Sequence, residues 1–192
     1  MATIRIILGI LCSAIIGRST EPNGSVLARS AWPKAQVVSY KNNDINSKAS
    51  RTKLMAIARS QIGVREATGN NDGKKVEAYL NVTNLSKGHP WCAAFISWVF
   101  KQAGLPRPQT AWSPALFPLA RQIVTPKPAD VLGIYSIKLK RIAHCGLVER
   151  KQNNWIISIE GNTDPDGSRN GNGVYRKWRH MKTISKFADW VR

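Results

Sequence analysis

From Arg51 onward the apolar positions fall into a helical rhythm. Leu54, Ile57, Ala58 and Ile62 recur at i, i+3, i+4 and i+8, one stripe of an amphipathic helix that Gly63 is placed to end. GNNDG at 69–73 reads as a loop, and Lys74–Asn81 as a short second helix with Val76 and Leu80 inward. Cys92–Ala103 (CAAFISWVFKQA) is apolar on almost every side and is stopped by Gly104 and Pro106, which predicts a buried central helix. Ser113-Pro114 has the form of an N-cap followed by a first-turn proline. Beyond Pro126 and Pro128 the pattern changes to short β-branched runs at 130–137, 142–149 and 155–160, which predict strands. A polar loop at 164–173 follows, and then two possible edge strands at 174–180 and 184–191. Helices first and strands second predict an α+β domain with a mostly antiparallel sheet.

The first fifty residues have a different character. Arg5 precedes the apolar run Ile6–Gly17, which is shorter than the ~20 residues a bilayer-spanning helix needs. The order charge, apolar run, polar stretch matches a secretory signal peptide over 1–17, so the chain is expected to be exported to the periplasm, the cell envelope or the medium, with no stable membrane span. Leu11 stands where a lipoprotein would carry a small residue before Cys12. Residues 18–50 are polar, broken by Pro22 and Pro33 and without sustained period. They are expected to form a linker of low order, leaving 51–192 as the folded domain.

Composition narrows the partners more than the fold. Against 11 Asp+Glu stand 29 Lys+Arg, a net charge of +18 in 192 residues, which favours a polyanion: nucleic acid, an anionic membrane face or an acidic wall polymer. The 43% hydrophobic content is enough for a core. Three unclustered cysteines, Cys12, Cys92 and Cys145, suit neither a disulfide scaffold nor a metal finger, and no dinucleotide or P-loop spacing occurs. The GNNDG loop offers one carboxylate, Asp72, where calcium takes roughly six to eight oxygens, and Asp164 and Asp166 read as turn formers. Neither a metal nor a cofactor is expected.

Two residues stand out against this background. Cys92 opens the buried helix, where the helix dipole, roughly half a positive charge, and free N–H groups favour a thiolate and could hold an oxyanion. His144 interrupts an apolar strand. With a three-residue loop at Lys151–Asn153, the hairpin register puts His144 directly opposite Glu160, at a Cβ separation of about 4.5–5.5 Å, with Asn162 on the same face. A slip of one residue would part them. The expected constellation is Cys92 as nucleophile, His144 as its base, and Glu160 or Asn162 orienting the imidazole, the logic of acyl transfer through a thioester.

The segments GHPWCAAFISWVFKQAG (88–104), PADVLGIY (128–135), AHCGLVER (143–150) and IISIEGNT (156–163) resemble, in order, the motifs of CHAP-type (NlpC/P60-related) peptidoglycan amidohydrolases. The resemblance covers most of 51–163. It implies a papain-like fold, Cys92 and His144 as the catalytic pair with Glu160 completing it and Asn162 assisting, and a peptidoglycan substrate. The bond cut would be an amide of the stem peptide or cross-bridge, by an N-acetylmuramoyl-L-alanine amidase or an endopeptidase, acting as a monomer.

Cys145 departs from the family, which has an aliphatic residue there, and is expected to serve the core on the face away from His144. The tail after Thr163, rich in Gly, Asn and Arg, fits the family poorly. Trp91 could wall the cleft and Glu66 could line a substrate groove, while His89 reads as a solvated loop residue. Arg176, Lys177, Arg179, Lys182 and Lys186 form a basic cluster suited to a solvated face or to acidic wall polymer. The competing class is a non-catalytic basic module binding nucleic acid or anionic glycan. It leaves Cys92, His144 and Glu160 unexplained, and the chain lacks the aromatic-basic interleaving of nucleic-acid modules, so nucleic acid is not the expected partner.

Overall fold

The structure, a computed structural model, describes residues 34–166 and 171–192, with side chains from Asp44 onward. The expected signal peptide and the first part of the expected linker lie outside the described residues. The domain is α+β. Helices α1 (Lys34–Ser60), α2 (Lys74–Asn81) and α3 (Cys92–Gln102) precede a six-stranded sheet of β1 (Gln122–Ile123), β2 (Val131–Ser136), β3 (Arg141–Gln152), β4 (Trp155–Thr163), β5 (Gly173–His180) and β6 (Lys186–Ala188). The strand order is β1-β6-β2-β3-β4-β5 and every pairing is antiparallel. Among the described residues, no helix is long and apolar enough to cross a membrane.

Three boundaries differ from expectation. Helix α1 begins at Lys34, inside the stretch expected to be linker. That stretch holds no Gly or Pro after Pro33, and its larger apolar residues, Val37, Val38, Tyr40 and Ile45, are too sparse among polar ones to sustain a stripe. The same helix stops at Ser60, so Leu54 and Ala58 are buried from the expected stripe while Ile62, past the end, is 37% exposed. The segment read as an edge strand at 184–191 yields β6, which lies inside the sheet between β1 and β2.

Helix α3 is the hub. Phe95, Ile96, Val99 and Phe100 are fully buried, and each such side chain contributes about 1.5–3 kcal/mol by leaving water. No side chain caps its N-terminus, so burial rather than capping holds it in place. Tyr79 of α2 packs edge-on to Phe95, with ring centroids 5.3 Å apart, and beside Trp91 at 5.6 Å. Helix α1 is clipped to the sheet by charge: Arg51 reaches Asp130 and Asp189, both at 2.6 Å, and Arg59 reaches Glu149 at 2.7 Å.

The β3–β4 hairpin corrects the expected register. Its turn has two residues, Asn153 and Asn154, closed by the pair Gln152–Trp155. Unbroken, that register would place Glu160 opposite Leu147, on the face away from His144. A β-bulge intervenes: Val148 pairs with Ser158 and Arg150 with Ile157, leaving Glu149 as the extra residue. Beyond it Leu147 pairs with Ile159, so Glu160 falls level with Gly146. His144 is therefore diagonal to Glu160 rather than opposite it, and the two share a face.

Candidate active site

Strand β3 supplies His144, β4 supplies Glu160, and α3 supplies Cys92 as its first residue. All three are buried, with Cys92 6%, His144 5% and Glu160 0% exposed. His144 Nε2 lies 2.8 Å from Glu160 Oε2. Gly146 makes this diagonal reach possible, because a Cβ there would sit 2.5 Å from Glu160 Cγ. Glu160 is held further by Ser158 Oγ, which donates to Oε1 at 2.6 Å, and by one edge of Arg179, which donates from Nε to Oε1 at 3.0 Å and from Nη2 to Oε2 at 2.6 Å. A carboxylate held by four hydrogen bonds from three side chains cannot follow a displaced neighbour. Gly146→Ala is accordingly expected to cost about 1–3 kcal/mol and to depress activity beyond what lost stability explains, since the added methyl drives Glu160 off the imidazole. A variant with wild-type melting and wild-type turnover would show that the diagonal contact is dispensable.

The other ring nitrogen, Nδ1, is buried and has no hydrogen-bond partner among the described residues, and besides Glu160 it is the Cys92 thiol that shifts the ring's proton affinity. Burial opposes protonation of His144, but hydrogen bonding and charge from Cys92 and Glu160 outweigh it and raise the imidazole to about 9. Burial likewise opposes ionisation of Glu160, yet Arg179 and His144 bring it down to about 2. The Cys92 thiol is held well below its ordinary value, first by a hydrogen bond from the Cys145 thiol and then, against burial, by His144 and Ser113. Cys145, fully buried beside that sulfur, is pushed up by burial and by Cys92 and stays protonated. These directions describe a thiolate–imidazolium pair with an S–H donor beside it.

Alkylation offers a direct readout. Iodoacetamide, with Cys92 followed by peptide mass mapping, is expected to react at a nearly constant rate from about pH 8 down to about pH 6, because the thiolate persists there. In His144→Ala the rate should fall toward tenfold per pH unit. Wild-type protein showing that same fall would contradict an ion pair. Above about 9 the imidazolium deprotonates and the pair is lost.

Asn162 does not orient the imidazole. Its Oδ1 accepts from the Trp91 backbone N–H at 3.1 Å, and its Nδ2 donates to Asn71 Oδ1 at 3.1 Å and Gly171 O at 2.9 Å. It anchors the residue that leads into Cys92. Trp91 has no exposed surface, so it packs the core rather than walling a cleft. Glu66, half-buried, accepts from Trp91 Nε1 at 2.8 Å and from the Asn71 backbone N–H at 2.9 Å. Both oxygens are thereby committed to holding the GNNDG loop against the start of α3. Asp72 caps that loop, accepting from Thr68 N–H at 2.9 Å and Thr68 Oγ1 at 2.7 Å. His89 is exposed.

Two further residues belong to the site. Ser113, expected as an N-cap, instead begins a 310 helix (Ser113–Leu116) with Trp112 in the capping position and no side-chain cap. Its Oγ lies 3.4 Å from Cys92 Sγ and 3.9 Å from Cys145 Sγ, between the two thiols. Arg179 comes from the expected basic cluster, which does not form a free cationic face. Arg176 pairs with Glu149 at 2.6 Å, and Lys177 donates to the Asp164 carbonyl at 2.8 Å and to the Pro165 carbonyl. An arginine three residues past the paired Arg176 carries no local signal of its own partner: the β4–β5 register sets Arg179 opposite Ile156, on the strand face of Glu160, and its long side chain reaches along that face to the carboxylate. Among the described residues, no group of three His, Cys, Asp or Glu is arranged to hold a metal ion.

Comparison with known proteins finds no matching family model and no matching curated protein. Among solved structures, the chain is similar to one described as the crystal structure of Ly7917 with the hydrolyzing product of MDP, at 13% identity and a TM-score of 0.42. The likeness covers 71% of this chain and 61% of that one, so the chain spans under two thirds of the length of the protein it matches.

Proposed function

We propose that the protein is an exported, papain-like cysteine hydrolase of peptidoglycan, cleaving an amide of the stem peptide or cross-bridge and working as a monomer. The observation that supports the reading is the set Cys92, His144 and Glu160: a buried thiol at a helix N-terminus, an imidazole with one nitrogen on a fixed carboxylate, and its other nitrogen buried with no hydrogen-bond partner among the described residues. The substrate class comes from the CHAP-type motifs that surround these residues.

In this reading the Cys92 sulfur attacks the amide carbonyl carbon, and the C=O π pair moves to oxygen. The N–H groups of the first turn of α3 have no intrahelical acceptor and face that oxyanion. On collapse the C–N bond breaks, the imidazolium of His144 gives its proton to the departing amine, and a thioester remains. Water then adds, its proton passing to His144, and the acid product leaves as the thiolate re-forms. Glu160 keeps the ring in one orientation and balances its charge throughout.

The test is digestion of purified peptidoglycan by the full chain, with products read by mass spectrometry. New amino and carboxyl ends would identify the bond and separate an amidase from an endopeptidase. No release from walls of several chemotypes under reducing conditions would overturn the hydrolase in favour of a basic binding module.

A further inference from the structure

Arg141 is linked to the Cys92 side of the site through Trp112 and Ser113. Arg141 opens β3, and its guanidinium carbon lies 4.1 Å from the ring centroid of Trp112. Trp112 is 54% exposed and is the chain neighbour of Ser113, whose Oγ is 3.4 Å from Cys92 Sγ. One peptide link, about 3.8 Å between Cα atoms, thus separates the tryptophan from a residue in contact with the reactive sulfur.

A second β-bulge puts Arg141 on the correct side. In a regular strand, residues three apart face opposite ways. Here Ile134 pairs with His144 but Tyr135 pairs with Ile142, so Ala143 is extra. Arg141 lies opposite Ser136 and His144 opposite Ile134, two positions that share a face of β2. The bulge therefore brings Arg141 round to the face of the imidazole.

Arg141, like Arg65 over Tyr175 and Arg121 over Trp190, is set on an aromatic ring without a side-chain carboxylate contact among the described residues, but of the three only its ring belongs to the residue that adjoins Ser113. Arg51, Arg59, Arg176 and Arg179 each contact a carboxylate at 2.7 Å or less. Among the described residues Arg141 contacts none; its Nη1 donates to the adjacent Ile142 carbonyl at 3.0 Å. Stacking on Trp112 fixes the plane of the guanidinium while leaving N–H groups open, which suits a planar anion bound through two parallel hydrogen bonds.

We propose that Trp112 and Arg141 form a carboxylate-recognising subsite next to Cys92, which takes the free carboxylate of a residue flanking the scissile amide while the aliphatic part of that residue lies on the indole. The proposal rests on the peptidoglycan reading, whose stem peptides carry such carboxylates, and it names the specificity determinant within it. A charge-assisted hydrogen bond of this kind corresponds to roughly 10- to 100-fold in affinity.

The experiment uses synthetic stem peptides in which each free carboxylate is replaced in turn by a carboxamide. One replacement is expected to raise KM about 10-fold or more in the wild-type protein, with kcat little changed. Arg141→Gln should raise KM for the carboxylate peptide by the same factor and leave the carboxamide peptide unaffected. The same pattern is expected in Kd, by calorimetry with uncleaved peptide on Cys92→Ala and on Cys92→Ala/Arg141→Gln. Equal KM and Kd for both peptides with and without Arg141 would overturn the subsite while leaving the hydrolase standing. Peptide that binds Cys92→Ala through Arg141 but is never cut by the wild type would do the reverse.

Discussion

Cys92→Ala is expected to abolish peptidoglycan cleavage while leaving the fold intact. Losing the nucleophile of a comparable triad costs on the order of 10⁶-fold in turnover, because no neighbouring group can take over the covalent step. Cys145 cannot, since burial alone still opposes its ionisation and its side chain belongs to the core beneath the site. Exchanging a 6% exposed thiol for a methyl removes one sulfur from the start of α3 but none of the side chains that bury it. The melting temperature should move by no more than a few degrees. Turnover surviving in this variant, with melting unchanged, would show that the sulfur is not the attacking atom.

Arg179→Met is expected to have the largest effect on stability. Glu160 is fully buried, and with Arg179 gone it keeps Ser158 and His144 against a carboxylate drawn from water. Breaking one side of a buried ion pair costs about 3–5 kcal/mol, on the order of 10 °C in Tm for a chain of this size. Replacing both partners, Glu160→Met with Arg179→Met, should recover much of the stability and none of the activity, since the imidazole then has no orienting carboxylate. The wild-type pair also governs acid behaviour. Glu160 is lowered from 4.5 to about 2, so its contribution is complete above 4.5 and fades as pH falls through about 2. A single Arg179→Met variant that melts within a degree or two of wild type would refute this account.

How far the molecule was legible from its residues depended on how local each feature is. Helix α3 was legible because a dozen nearly continuous apolar positions ending in Gly104 and Pro106 permit little else, and β2, β3 and β4 because β-branched runs between turn residues read as strands. Cys92, His144 and Glu160 stood out as the wrong residue types for their surroundings. The polar half of α1 left no such trace. Nor did the two bulges: Glu149 and Ala143 look like ordinary strand residues, and only the pairing of distant chain segments makes each of them extra. Ser113 was visible as a helix starter but not as a neighbour of two thiols, because its Oγ is set by how the loop after α3 folds back. Arg179 and Arg141 were each one basic residue among 29. What separates them is a carboxylate on one strand and an indole on a loop, neither near them in sequence.

The extra residue at Glu149 has a consequence for how this hairpin can change. The tight Asn153–Asn154 turn and the His144–Glu160 contact impose opposite parities on the same two strands, and the bulge reconciles them, held by Arg59 and Arg176 on its own side chain. Deleting Glu149 would make the ladder regular while keeping Val148 opposite Ser158 and Glu160 level with Gly146, so the imidazole and its carboxylate would still share a face; what would be lost is the carboxylate that Arg59 and Arg176 hold. The bulge is thus a spare residue: β3 can lose one position here and keep the contact, whereas a single added residue must be taken up by a second bulge or its one-residue slip would part the imidazole from its carboxylate.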